Sequence, residues 1–118
     1  MSVDKYFSRS YDKASYNCAH LVKEVWLDLT GNDIDYALNG FLRAPKERFV
    51  SKSERRNLKR LDSPQSPCIV LFQSPRVPPH VGIFLRGRVL HITENRGVRF
   101  DRLNDITLGV SKITFLTC

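Results

Sequence analysis

The amino-acid sequence predicts a single α+β domain, one main helix packed on an antiparallel sheet. Three observations lead there. The clearest helical periodicity lies near the N-terminus, the C-terminal half breaks into short apolar runs divided by turn residues, and the helix-type pattern precedes the strand-type pattern instead of alternating with it. With 118 residues there is room for one core and not for two ordinary domains, so residues 1–118 are taken as one unit.

The helix comes first. Cys18, Leu21, Val22, Val25 and Leu29 recur at spacings of three and four, which puts them on one face. Asn17 is a favourable N-cap immediately before Cys18, and Gly31-Asn32 is a favourable stop. Residues 32–67 are less regular. Their opening, "DIDYALNGFLRAP", fits neither period. "SKSERRNLKRL", residues 51–61, predicts a short basic helix with Ser51 and Glu54 at capping-box spacing, and the prolines of "DSPQSP" end it. Strands follow. "CIVLF" (68–72) reads as a buried strand, "HVGIFL" (80–85) and "RVLHI" (88–92) flank a tight turn at Arg86-Gly87, and "GVRF" (97–100) and "ITFL" (113–116) complete a meander.

Charge is concentrated. The chain carries +7, and residues 43–60 hold eight Lys/Arg against Glu47 and Glu54, which is +6 in that segment alone. Phe49 is the one aromatic there, so stacking on nucleic-acid bases has no platform. A solvated basic insert or flap over residues 43–66 is preferred to a polyanion site, and nucleic acid is not expected as a partner. No apolar run approaches the ~18 residues of a membrane span. "MSVDKYFSRS" lacks the apolar core of a signal peptide. Cytoplasmic synthesis is therefore expected, with incorporation in a virion or release by lysis as the routes outward. Cys18, Cys68 and Cys118 match neither a disulfide framework nor zinc-ligand spacing. Free thiols, no metal, no cofactor and a monomer are expected.

Cys18 is the residue to explain. A buried free cysteine is usually inert, but a thiol at the first turn of a helix meets partial positive charge and unpaired N–H groups. If Arg86-Gly87 is a two-residue loop, Ile83 pairs with Leu90 and Gly82 with His91. His80, Gly82 and His91 then share one face of the hairpin, while Ile83 and Leu90 face the other way. Slippage by one residue would break this arrangement. The parts of a nucleophilic site are thus present: Cys18 to attack, His80 to take and return a proton, His91 to orient it, and the Cys18 backbone N–H to receive an oxyanion. On these features alone a catalytic cysteine and a core cysteine beside two unrelated histidines are equally credible. His20, two residues from Cys18 on the helix, does not face it and is a poor candidate for the base.

"YNCAHLVKEVW" resembles the nucleophile motif of the NlpC-type papain-like cysteine peptidases, in which the cysteine follows an acidic residue and precedes small residues and Leu-Val. "HVGIFLRGRVLHI" resembles their histidine hairpin, "SPCIVLFQ" the strand before it and "RGVRFDRLND" the strand after it. The resemblance runs from about residue 16 to the C-terminus, apart from the basic insert. It implies a small papain-like α+β fold with the nucleophile helix on an antiparallel sheet, no metal or cofactor, and roles for Cys18 as nucleophile, His80 as general base and acid, and His91 as third member. Departures are Asn17 for the acidic residue, Ala19-His20 for the small pair, and Pro67-Cys68 for the residues before the strand. The upstream tyrosine of that family has only Tyr16 and Tyr11 as candidates. Tyr16 and His20 are accordingly candidates for substrate binding or the oxyanion site.

The resemblance implies hydrolysis of amide bonds in peptidoglycan stem peptides at a γ-D-glutamyl linkage, through an acyl-enzyme, in a phage or prophage setting where tail proteins are possible partners. Two alternatives remain. One is an intracellular amidase, deamidase or transferase acting on a protein or small amide, for which labelling of Cys18 without activity on wall fragments would speak. The other is a non-catalytic structural or nucleic-acid-binding module of the same fold, for which an unactivated Cys18 thiol would speak.

Overall fold

The computed structural model describes residues 3–34, 59–75, 77, 79–107 and 109–117. A 3-10 turn, Asp4–Ser8, precedes helix α1, Cys18–Thr30. The strands are β1 (Lys59–Leu61), β2 (Cys68–Gln73), β3 (His80–Leu85), β4 (Arg88–Thr93), β5 (Gly97–Arg102) and β6 (Lys112–Thr117), with a one-turn helix α2, Leu103–Ile106, between the last two. They form one antiparallel sheet in the order β1-β6-β2-β3-β4-β5. The chain is thus a small α+β domain built on a six-stranded antiparallel sheet and a main helix.

α1 begins and ends where its caps dictate. The Asn17 side-chain oxygen accepts from the Ala19 and His20 N–H groups, satisfying two of the donors that a helix start leaves over. Gly31 closes the helix in the left-handed region at φ 77°, its N–H donating to the Leu27 carbonyl. The face carrying Leu21, Val22 and Val25 is buried with Val81, Ile83, Leu90, Ile92 and Val98 of the sheet. A second apolar cluster occupies the opposite face of the sheet, where Val70, Phe72 and Val89 pack with Phe84, Leu103, Ile106 and Ile113. Burial on both faces accounts for β2 reading as an unbroken apolar run that starts at the fully buried Cys68.

The N-terminal segment is strapped to α1, with Tyr6 fully buried in the core that α1 shares with the sheet. Tyr6 donates to Asp28 at 2.6 Å, Lys5 pairs with the same carboxylate at 2.9 Å, and Arg9 clasps Glu24 through two nitrogens at 3.0 and 2.6 Å. Tyr16 also donates to Glu24.

Two expectations need correction. The basic helix foreseen over residues 51–61 does not extend to its end: Lys59–Leu61 is a strand, pairing Arg60 with Leu116 on the outer edge of β6. An open sheet edge offers backbone partners that outweigh weak local helix preference in three residues. Part of the supposed flap over residues 43–66 is therefore sheet, and residues 43–58 lie outside the described residues. Nor is the strand order a simple meander, because β6 crosses back to lie beside β2. Among the described residues no helix is long and apolar enough to cross a membrane.

Candidate functional site

The hairpin carries the site. Arg86 (φ 50°) and Gly87 (φ 83°) form the two-residue turn, and the ladder runs Leu85↔Arg88, Phe84↔Val89, Ile83↔Leu90. The pairing foreseen between Gly82 and His91 is not part of that ladder, which ends at Ile83↔Leu90. The faces are nevertheless as foreseen. Ile83 and Leu90 join the core under α1, while His80 stacks on Phe72 on the other side. His80 Nε2 lies 2.9 Å from His91 Nδ1, with the rings edge to face. Gly82 makes this approach possible. A Cβ there would stand 2.7 Å from Val89 Cγ1, 3.0 Å from the Leu90 carbonyl oxygen and 3.2 Å from His91 Cβ.

Cys18 is the first residue of α1, and its sulfur is within reach of the Val81 N–H, one residue along β3 from His80, whose own ring lies on the sheet face away from α1. Backbone N–H groups of Val81, Ala19 and Cys18 itself act on the sulfur. Val81 lies beyond the last β3–β4 pair and is the residue next to His80. The thiol thus approaches at the start of β3, where helix and hairpin meet. Burial pushes the Cys18 thiol up, and the three N–H groups oppose that shift. Burial, with a smaller contribution from His91, pulls the His80 imidazole down to about 4. At neutral pH the Cys18 thiol and the His80 imidazole each rest uncharged.

His91 does not stand alone behind His80. Its Nε2 is 2.9 Å from Asp101 Oδ2, and Asp101 is gripped by Arg99, with Nε 2.9 Å from Oδ2 and Nη2 3.1 Å from Oδ1. Burial lowers His91 while Asp101 opposes it, and the Arg99 hydrogen bond holds the Asp101 carboxyl below the usual carboxylate range. Sequence reasoning passed over Asp101 because the β4–β5 register was not worked out. The signal was there. A three-residue turn from Thr93 to Gly97 sets His91 opposite Arg99 and Val89 opposite Asp101, so both charged residues fall on the His91 face.

The other two candidates are drawn into the helix start. His20 accepts the Asn17 N–H at its Nδ1 (3.0 Å), completing a capping box in which it takes the place usually held by Glu or Gln. Its ring stacks on Tyr16 at 6.2 Å. The Tyr16 hydroxyl is engaged by Glu24. Tyr11 is the tyrosine within electrostatic reach of Cys18. Burial raises its hydroxyl first, and the Cys18 charge adds to that. Among the described residues no group of three or more His, Cys, Asp or Glu side chains is arranged to hold a metal ion.

The structure is a small α+β domain with a cysteine at the start of its main helix and a His–His–Asp chain on the sheet. No protein-family model and no curated protein matches this chain.

Proposed function

We propose that this protein is a papain-like cysteine hydrolase of amide bonds, with Cys18 as nucleophile, His80 as general base and acid, and His91 as the residue that orients His80. One observation carries the reading: the His80–His91 contact of 2.9 Å lies at the strand end where the Val81 N–H meets the Cys18 sulfur. With His80 Nε2 facing His91, Nδ1 is the nitrogen that serves the thiol. Cys18 passes its proton to that nitrogen as sulfur attacks the carbonyl carbon. The oxyanion is received by the N–H of Cys18 at the helix start. Return of the proton to the departing amine leaves a thioester, and water, activated by His80, releases the acid and the thiol. Tyr11, rather than Tyr16, is the counterpart of the upstream tyrosine in the NlpC-type peptidases.

The substrate class follows from the resemblance: peptidoglycan stem peptides at the γ-D-glutamyl linkage, in a phage or prophage setting. The C18A variant is expected to lose hydrolysis of purified peptidoglycan or of a γ-D-glutamyl peptide while keeping its fold by circular dichroism. An unchanged rate in that variant refutes the proposal.

A second reading, a non-catalytic module of the same fold, is favoured by one observation, the uncharged resting state of Cys18 and His80. Alkylation separates the two. A working general base makes Cys18 react with iodoacetamide at pH 7 faster in the native protein than in the H80Q variant, whereas an inert core thiol reacts equally slowly in both.

A further inference from the structure

Asp101 lies outside the three roles assigned above, and an inference about it rests on the reading of His80 as the base. We infer that Asp101, held by Arg99, is a positioning residue that sets the tautomers of both histidines so that the bare nitrogen of His80 is Nδ1. A carboxylate can only accept, so Asp101 Oδ2 at 2.9 Å requires the proton of neutral His91 to sit on Nε2. His91 Nδ1 is then a lone pair. His80 Nε2, 2.9 Å away, must donate to it. Neutral His80 is left with an unprotonated Nδ1, the form that can take a proton from the thiol. The reversed chain would place an N–H at that position and leave the thiol without an acceptor.

Arg99 makes the choice one-sided. It stands opposite His91 in the β4–β5 ladder, and its Nε and Nη2 bind both oxygens of Asp101. The fork fixes the plane of the carboxylate. It also determines what an amide would do at this position. Asparagine has one oxygen. In the Oδ1 place it keeps both guanidinium contacts, from Nη2 at 3.1 Å and Nε at 3.3 Å, and gives up only the 2.9 Å Nε contact to Oδ2. With the oxygen in the Oδ2 place the NH2 would face two guanidinium donors, so the NH2 is turned toward His91 Nε2. His91 must then accept there and carry its proton on Nδ1, and the reversal passes on to His80.

Long-range proton–nitrogen correlation spectra of the 15N-labelled protein at pH 7 test this without substrate. The wild type is expected to show both histidines protonated at Nε2. In D101N both are expected to move their proton to Nδ1, and turnover of a γ-D-glutamyl peptide is expected to fall by roughly 10⁴-fold in kcat, the size of the loss for a base held in the wrong tautomer. Unchanged tautomers in a folded D101N protein overturn the inference. So does a wild-type His91 protonated at Nδ1, which decides the matter even if the variant does not fold. A wild-type chain with the expected tautomers that cleaves nothing refutes the hydrolase reading and upholds the tautomer assignment.

Discussion

Replacing Gly82 with alanine tests how closely β3 and β4 must approach. The new Cβ would meet Val89 Cγ1 at 2.7 Å and the Leu90 carbonyl oxygen at 3.0 Å. Val89 is fully buried and the Leu90 oxygen is backbone, so neither can swing aside. Forcing an extra methyl into a packed site costs about 1–3 kcal/mol. The loss of chain freedom in the unfolded state returns about 0.4–1 kcal/mol. The net expectation is a loss of about 1–2 kcal/mol, which in a domain of this size lowers Tm by roughly 4–8 °C. Urea unfolding should show the midpoint falling with an unchanged slope. The same methyl presses on His91 Cβ at 3.2 Å, so the coupling of His80 to His91 should weaken, and the proposed hydrolysis with it. A G82A protein as stable as the wild type would refute the close approach and, with it, the histidine geometry.

Other outcomes follow from the same structure. Because the folded state holds His80 at about 4 against an ordinary value of 6.5, the unfolded chain binds the extra proton between those values. Stability is then full above pH 6.5 and declines as pH falls toward 4, by at most about 3 kcal/mol from this group. Unfolding at pH 7 and pH 4.5 measures this decline, and an equal decline in H80Q would exclude His80 as its source. Removing the cap in H20A should cost about 0.5–1 kcal/mol, while H20Q should recover most of it by accepting the Asn17 N–H in the same box. Loss of the proposed hydrolysis in H20Q with stability intact would instead place His20 in substrate recognition. Arg86 holds a positive φ of 50° in the hairpin turn, so R86N should raise stability by a few tenths to about 1 kcal/mol in denaturant titration. A destabilised R86N protein would contradict that turn geometry.

The local features were legible because their causes are local. Spacings of three and four placed the buried face of α1, Asn17 and Gly31 marked its ends, and a two-residue turn at Arg86-Gly87 put His80 and His91 on one face. None of this requires knowledge of what the elements pack against. Asp101 could have been reached by carrying the same counting through the next turn. Other features could not be found by counting. Lys59–Leu61 is a strand because β6 presents an edge to it, Tyr16 is occupied because α1 brings Glu24 beneath it, and Tyr11 comes to Cys18 because the N-terminal segment is tied along the helix.

By itself the sequence determined an α+β chain, a helix beginning at Cys18 and a hairpin with two histidines on one side. Periodicity and turn chemistry act between near neighbours and are written in the order of residues. Only the tertiary structure decided that β6 returns beside β2, that Asp101 and Arg99 stand behind His91, and that Cys18 and His80 rest uncharged. Those outcomes depend on which edges remain open, which groups meet across the sheet and how much water burial removes, quantities that exist only once distant segments have packed.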